Sequence, residues 1–349
     1  PVPPYGGARL ARKRTCRENM LTYTIRRLLL IVPTLLLVTM IVFLSVRFIP
    51  GDVIDVMVAQ MTSAGSEVSD TNRAVLLEKM GLDAPIHIQY VRWLGVLPQK
   101  DGAFRGVIQG DLGESLWKNR PVTSLLAGRL PVSLELGIIA LITALLVSLP
   151  IGIYSAIRQD TWGDYVGRSI SIVFISVPSF WIATMAMVYP AIWWGWAPSF
   201  VYIPLSKDVA GNLMQFVIPG FIMGMVMGGT LMRMTRTMML EVLRQDYIRT
   251  AWSKGLSERT VIIRHALKNA FIPILTIIGV MVPLLISGTI IMEQIFVLPG
   301  VGLMTFEALT MRDYPVISGI NLVVAILVLF VNLLVDLVYG WLDPRIKYR

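Results

Sequence analysis

Six long intervals of this chain contain no Asp, Glu, Lys or Arg: 28–46, 136–157, 169–206, 209–232, 269–292 and 314–335. Crossing a hydrocarbon core of ~30 Å takes about 20 apolar residues in helical form, and each interval meets or nearly meets that length. Backbone N–H and C=O groups in lipid must be paired within the segment. None of the intervals shows the alternation of a membrane barrel, so helix is the predicted form. The pattern predicts an all-α membrane protein, a bundle of six transmembrane helices.

Composition agrees with that reading. The 349 residues are 55% hydrophobic and 15% charged, with mean hydropathy +0.68, which suits helices in lipid better than one soluble core. Charge then sets orientation. With the N-terminus inside, the cytoplasmic segments carry 20 Lys and Arg and the opposite side 11. Nine of those 11 lie in one long loop, where the positive-inside rule has little weight. Both termini are therefore expected in the cytoplasm of a multi-pass membrane protein. Anionic lipid headgroups account for the net charge of +9, and no nucleic-acid partner is needed.

The first interval is longer than the roughly 7–15 residues of a signal-peptide core and is followed by Arg47, Phe48, Ile49 and Pro50 rather than small residues, so 20–48 is read as a retained first helix. Residues 1–19 are rich in Pro, Gly and Arg and precede Met20; a disordered or expression-derived tail is expected there. Cys16 in that tail is the single cysteine, which leaves no intrachain disulfide or cysteine zinc cluster. Residues 49–130 form a long outer loop, periplasmic or extracellular, and 131–349 a core with five transmembrane helices and a cytoplasmic loop at 233–268. A loop of that length is usually functional. It is predicted to hold a short helix at 74–80, an amphipathic stretch around 88–97 and Gly-rich turns from 102 to 113. It serves either as a packed cap over the helix ends or as a docking surface for a delivered ligand or its carrier.

The most informative stretch is 246–273, DYIRTAWSKGLSERTVIIRHALKNAFIP, a basic helix-forming segment between two apolar runs. At helical spacing Tyr247, Ala251 and Gly255 fall on one face, with Ile248 and Trp252 on the adjacent stripe. Small residues on that face admit another backbone. Gly255 suits a left-handed helix end, and Ser257 followed by Glu258 is suited to cap a second helix. That helix carries Ile262, Ile263, Ala266, Leu267 and Ala270 toward Pro273, where the next span is expected to begin. An amphipathic linker lying on lipid fits the same pattern.

At 293–315 Pro299, Gly300 and Gly302 break the helix after the fifth span. Phe306, Leu309 and Met311 are expected to tuck apolar surface between the helices before Asp313 and Pro315 open the sixth. A re-entrant turn at the outer side is predicted, with Arg312 and Asp313 completing the set of gate residues. Glu135 and Asp336 lie near span ends, where a carboxylate reaches interfacial water; Glu135 is placed within reach of Arg129 or a pathway mouth. Met214, Met223, Met225, Met227, Met232, Met234, Met238 and Met239 crowd the fourth span beside Gly220, Gly224, Gly228 and Gly229. With no Cys or His nearby, they read as adaptable packing rather than a copper site, at a helix seam or along a pathway.

The chain has no G-x-x-x-x-G-K-[ST] phosphate loop, and His87 and His265 are far apart, so it is not expected to be an enzyme or to hold a metal. The 246–273 segment resembles the EAA-type coupling loop of ABC importer permeases: an Ala and a Gly four residues apart, here Ala251 and Gly255, then an apolar residue and a Pro, here Ile262 and Pro273. DYIRTAWSKG with His265, and three further stretches at 20–52, 110–136 and 293–315, are similar to the peptide-importer branch. The resemblance spans about residues 20–349.

It implies a permease subunit in a bacterial or archaeal cytoplasmic (inner) membrane. The partners it implies are a second homologous permease, two ATPase subunits that hold ATP and Mg, and an extracytoplasmic solute-binding protein that delivers di- or oligopeptides. This chain itself carries no cofactor. By the same analogy Tyr247, Arg249, Ala251, Lys254 and Gly255 contact or shape the ATPase interface. Arg249 and Trp252 depart from the commoner family choices, which leaves partner specificity open. Two other readings remain: the same machine with another cargo, such as a nickel chelate, glutathione or an oligosaccharide, and a member of a different class, an intramembrane enzyme or standalone channel.

Overall fold

A computed structural model describes residues 29–46, 84–199 and 201–342. The tail at 1–19 and the short helix expected at 74–80 lie outside the described residues. Helices dominate: α1 (Leu29–Val46), α2 (Ile86–Leu94), α3 (Val122–Ile157), α4 (Trp162–Ser176), α5 (Ser179–Trp194), α6 (Val209–Leu243), α7 (Asp246–Ser253), α8 (Glu258–Thr260), α9 (Lys268–Ile295), α10 (Val301–Met311) and α11 (Tyr314–Leu342). Among the described residues the β-structure is one isolated bridge, Glu114 to Pro121.

Five segments are long and apolar enough to cross a membrane: Leu29–Val46, Val122–Ile157, Val209–Leu243, Glu258–Pro283 and Tyr314–Val338. The sixth expected span is not a straight helix. The interval 169–206 begins within α4, runs through α5 and ends in a loop, and α4 and α5 meet at 90°. Pro178 causes the break: it lacks an amide hydrogen and pushes Val177 out of the helical region, to φ −87° and ψ 125°. The pair makes one crossing only as a bent unit.

Two more boundaries differ from the sequence reading. α3 starts at Val122, inside the stretch assigned to the long loop, and its 36 residues reach roughly 54 Å, well past a bilayer core. Pro273 does not open the fifth span, because helical backbone runs through it from Glu258. The backbone widens one turn earlier, into a π-helical stretch at Val261–Leu267.

Three apolar clusters follow one another along α3. At its start Val122 and Leu126 pack with Leu112, Val301, Met304, Ala308, Val316 and Ile317. In the middle Val132, Leu136, Ala140 and Ala144 meet Phe216, Met223, Met227 and Leu231 of α6 and Ile274 and Ile278 of α9. At its end Ala156 joins Met239, Ile248, Ala251, Val261 and Ala266.

The seam between α3 and α6 is close because of its glycines. A Cβ on Gly224 would lie 2.7 Å from the Ala140 carbonyl oxygen, and one on Gly152 2.8 Å from that of Met232. Ser171 of α4 donates to the Gly229 carbonyl at 2.7 Å on another side of α6. Small residues let backbones approach, and in lipid that packing is a main source of helix association. The Gly stripe of α6 therefore serves packing inside this chain. Met223, Met227, Met232 and Met239 are buried beside it.

Residues 84–121, within the long loop, rest on the bundle. α2 is held to α1 by the Phe43–Tyr90 and Phe43–Trp93 ring contacts, at 5.4 and 5.7 Å, and by the Thr39 and Tyr90 hydroxyls 3.0 Å apart. The Gly-rich turns occur as expected, with positive φ at Gly102, Gly110 and Gly113.

Candidate functional site

Two structured regions sit at opposite ends of α3: a helical elbow around α7, and a short helix, α10, laid back against the bundle.

The elbow starts where α6 ends. Gln245 is extended, α7 runs for eight residues, and Gly255 turns the chain with φ +72°. Ile248 and Ala251 face inward, 1% and 7% exposed, against Val261, Ala266 and Ala270. The π-helical turn explains this packing. Val261 and Ala266 are five residues apart, a spacing that shares one face only where the helix is widened; the four-residue steps to Ala270, Ile274 and Ile278 then resume.

The structure separates the three residues expected on one face. Ala251 packs inward, Tyr247 is exposed while its hydroxyl accepts from Asn269 Nδ2 at 2.8 Å, and a Cβ on Gly255 would meet nothing within 4 Å. Glycine is favoured at 255 for its backbone angle and not for crowding. Ser257 does not cap the backbone of the second helix either; its hydroxyl meets that of Thr260 at 2.9 Å. Arg249, Trp252, Lys254 and Ile263 point outward. The result is a basic and aromatic surface on a hydrophobically anchored elbow.

Beside it lies an ion pair that sequence reasoning missed. Arg236 of α6 donates two hydrogen bonds of 2.7 Å to the carboxylate of Asp164, in the first turn of α4, and the Asp160 amide donates a third at 3.1 Å. Asp164 is fully buried. An acid in the first turn of one helix and one of two Arg residues, Arg233 and Arg236, in a largely apolar one were the available signals, but only the packing brings Asp164 and Arg236 together.

At the other end, α9 stops at Ile295, Val297 takes φ +55°, and α10 begins at Val301. Pro299 and Gly300 lie in this break as expected, whereas Gly302 does not break the helix but is the second residue of α10. α10 returns to the bundle with Val301, Met304 and Ala308 buried, three positions at helical spacing. Phe306, Leu309 and Met311, expected to be the tucked residues, are instead on its exposed side. A 3.6-residue period that buries 301, 304 and 308 turns them away.

Two buried carboxylates bracket α10. Glu293, 0% exposed, accepts from Ser133 Oγ at 2.6 Å and from the Leu303 amide at 2.9 Å, while Ser133 Oγ accepts from the Val301 amide at 2.7 Å. The glycines make room for it: a Cβ on Gly300 would fall 2.2 Å from the Glu293 carboxyl carbon, and one on Gly302 2.6 Å from Ile290 Cα. At the far end Arg312 takes φ +54° and Asp313 accepts from Ser115 Oγ and the Leu116 amide. Trp117 donates to the Met311 carbonyl at 2.8 Å, and Lys118 reaches Glu307 at 3.0 Å.

Arg129 also turns to Glu307, at 3.9 Å, so of the two surroundings expected for Glu135 the one with Arg129 is not formed. Glu135 is approached at 3.5 Å by Asn212 Nδ2, whose other acceptor is the Ile203 carbonyl. Arg312 and Asp313, named from the sequence, lie at the C-terminal end of α10, and sequence reasoning left out Glu293 and Ser115, which hold the helix.

Residues 148–348 match the model of the family described as binding-protein-dependent transport system inner membrane component, and residues 20–137 the N-terminal model of the corresponding membrane component. A dipeptide transport system permease protein, DppB, of Alkalihalophilus pseudofirmus is 37% identical over 94% of this chain and 100% of its own length. The oligopeptide transport system permease protein AppB of Bacillus subtilis is 36% identical over 94% and 100%, and DppB of Escherichia coli K12 is 35% identical over 95% and 100%. Among solved structures the inward-facing MetNI methionine ABC transporter matches at 13% identity, with a TM-score of 0.48, over 63% of this chain and 96% of that one.

Proposed function

We propose a function that starts from an established point: this chain belongs to the family of binding-protein-dependent transport system inner membrane components. It is the permease subunit of an ATP-driven importer. With a second, homologous permease it forms the pathway for di- or oligopeptides, which a solute-binding protein delivers on the outer side. Two ATPase subunits bind ATP and Mg on the cytoplasmic side, where both termini lie. The peptide cargo follows the names of the relatives that match along nearly the whole chain.

The elbow carries the mechanistic part of the reading. Ile248 and Ala251 anchor α7 to the cluster shared by α3, α6 and the start of the fifth span, so a force on α7 passes into two long helices. Tyr247, Arg249, Trp252, Lys254 and Gly255 face outward and are available to an ATPase groove. Closure of the ATPases on ATP displaces the elbow, and the 258–267 segment passes the displacement to α9. At the opposite end α10 and its loop form the outer gate.

The test is reconstitution. The chain, co-expressed with its neighbouring permease and ATPase subunits and placed in lipid vesicles, is expected to hydrolyse ATP faster when binding protein loaded with a dipeptide is present outside, and to accumulate that peptide. Hydrolysis indifferent to the loaded binding protein would sink the importer reading. Mass spectrometry of the ligand carried by the native binding protein decides between peptide and another cargo.

A further inference from the structure

A fully buried carboxylate is costly unless its oxygens are satisfied. Glu293 meets that demand in an unusual way: every donor it accepts from is neutral. They are Ser133 Oγ, the Leu303 amide and Thr289. Ser133 in turn accepts from the Val301 amide, so two amides of the first turn of α10 converge on one carboxylate, that of Leu303 directly and that of Val301 through a hydroxyl. The positive end of a helix is where an anion is best placed, and here the chain supplies its own. Gly300 and Gly302 are the residues that allow the approach, since a Cβ at either position would collide with Glu293 or with the backbone of Ile290.

The far end of α10 is held differently. Its partners, Ser115, Leu116, Trp117 and Lys118, belong to the segment before α3; Ser115 is buried, Leu116 and Trp117 are half-buried, and the tip from Lys118 to Arg120 is exposed. One end of α10 is thus tied inside the bundle and the other to a loop that an incoming protein can reach. We infer that Glu293 is the positioning residue of the gate, the fixed point about which α10 swings when the 113–121 segment is displaced. The inference rests on the reading of α10 as the outer gate, and it adds that gate opening is a rotation about the Glu293 end rather than an unfolding of the helix.

Glu293→Gln tests it. Glutamine keeps the size but presents one NH2 group to a ring of donors, so at least one amide of α10 loses its acceptor. The assembled transporter carries spin labels on Leu309 of α10 and Ile138 of α3, both exposed. In Glu293→Gln the distance distribution is expected to broaden, and vesicles are expected to leak a labelled dipeptide several-fold faster without ATP or binding protein. Ser133→Ala, which removes the bridging hydroxyl, is expected to do the same to a smaller degree and serves if the Gln variant fails to assemble.

Asp164→Asn is the control, a buried carboxylate at the opposite end of the bundle. It should lower the thermal midpoint without moving either readout. An unchanged distribution in both gate variants, or an equal change in the control, overturns the inference. The spin-label distance reads α10 whatever the cargo, so a complex inert toward peptides but with a loosened α10 would discard the peptide reading and keep the pivot.

Discussion

Ser115 donates a 2.5 Å hydrogen bond to Asp313 across 198 positions of sequence, and both residues are buried. This contact ties the loop before α3 to the corner between α10 and α11. The Leu116 amide shares the same carboxylate. Ser115→Ala removes one of the two donors and leaves a buried oxygen unsatisfied, a cost of about 1–3 kcal/mol. Limited proteolysis of the assembled protein is expected to cut the 113–121 segment faster in Ser115→Ala than in the parent; equal rates would show that the contact does not hold the loop.

Breaking the Asp164–Arg236 pair should cost more. Removing one member of a buried pair leaves the other charge uncompensated, at about 3–5 kcal/mol, whereas replacing both by apolar residues of similar volume is often neutral. Asp164→Asn is therefore expected to lower the thermal unfolding midpoint in detergent clearly. A double replacement, Asp164→Leu with Arg236→Met, should recover much of the loss. A double variant no better than the single one would mean that the charge itself is needed.

Close packing of α3 on α6 predicts a different kind of failure. Gly224→Val places a Cβ within 2.7 Å of the Ala140 carbonyl oxygen, backbone that has no side chain to move aside. The helices must separate, so the yield of monodisperse membrane protein on size exclusion should fall sharply. Gly128→Ala, where nothing lies within 4 Å, is the matched control and should behave as the parent.

Gly255 separates backbone strain from crowding. Its φ of +72° costs an ordinary L-residue about 1–2 kcal/mol, while Asn visits that region more readily. Space around the position is open within this chain. Gly255→Asn should keep most peptide-stimulated ATP hydrolysis, and Gly255→Val should insert in the membrane but lose the link between hydrolysis and uptake. Equal coupling in vesicles for both variants would refute the role of this corner.

Much of this protein was legible because the bilayer imposes simple rules. A charge-free run of about 20 residues has few alternatives to a helix, so α1, α3, α6, α9 and α11 were found, and Pro299 and Gly300 marked the break before α10. Face assignments in short helices were less secure. In α7 and α10 several apolar residues compete for the inward side, and the neighbours decide: Ala251 was drawn inward and away from Gly255, and Met304 went in where Phe306 had been expected.

What the chain determined alone was the rough position of five membrane-length helices, the glycine turn at 255 and the broken end of the fifth span, because each depends on local hydropathy or on the dihedral freedom of single residues. The right angle at Pro178, the widened turn at Val261–Leu267 and the polar pairs Ser115–Asp313, Ser133–Glu293 and Asp164–Arg236 were decided only in three dimensions. Each joins groups far apart along the chain or depends on what a neighbouring helix presents. A buried polar group is tolerable only beside its partner, and the partner's identity is a property of the packed bundle.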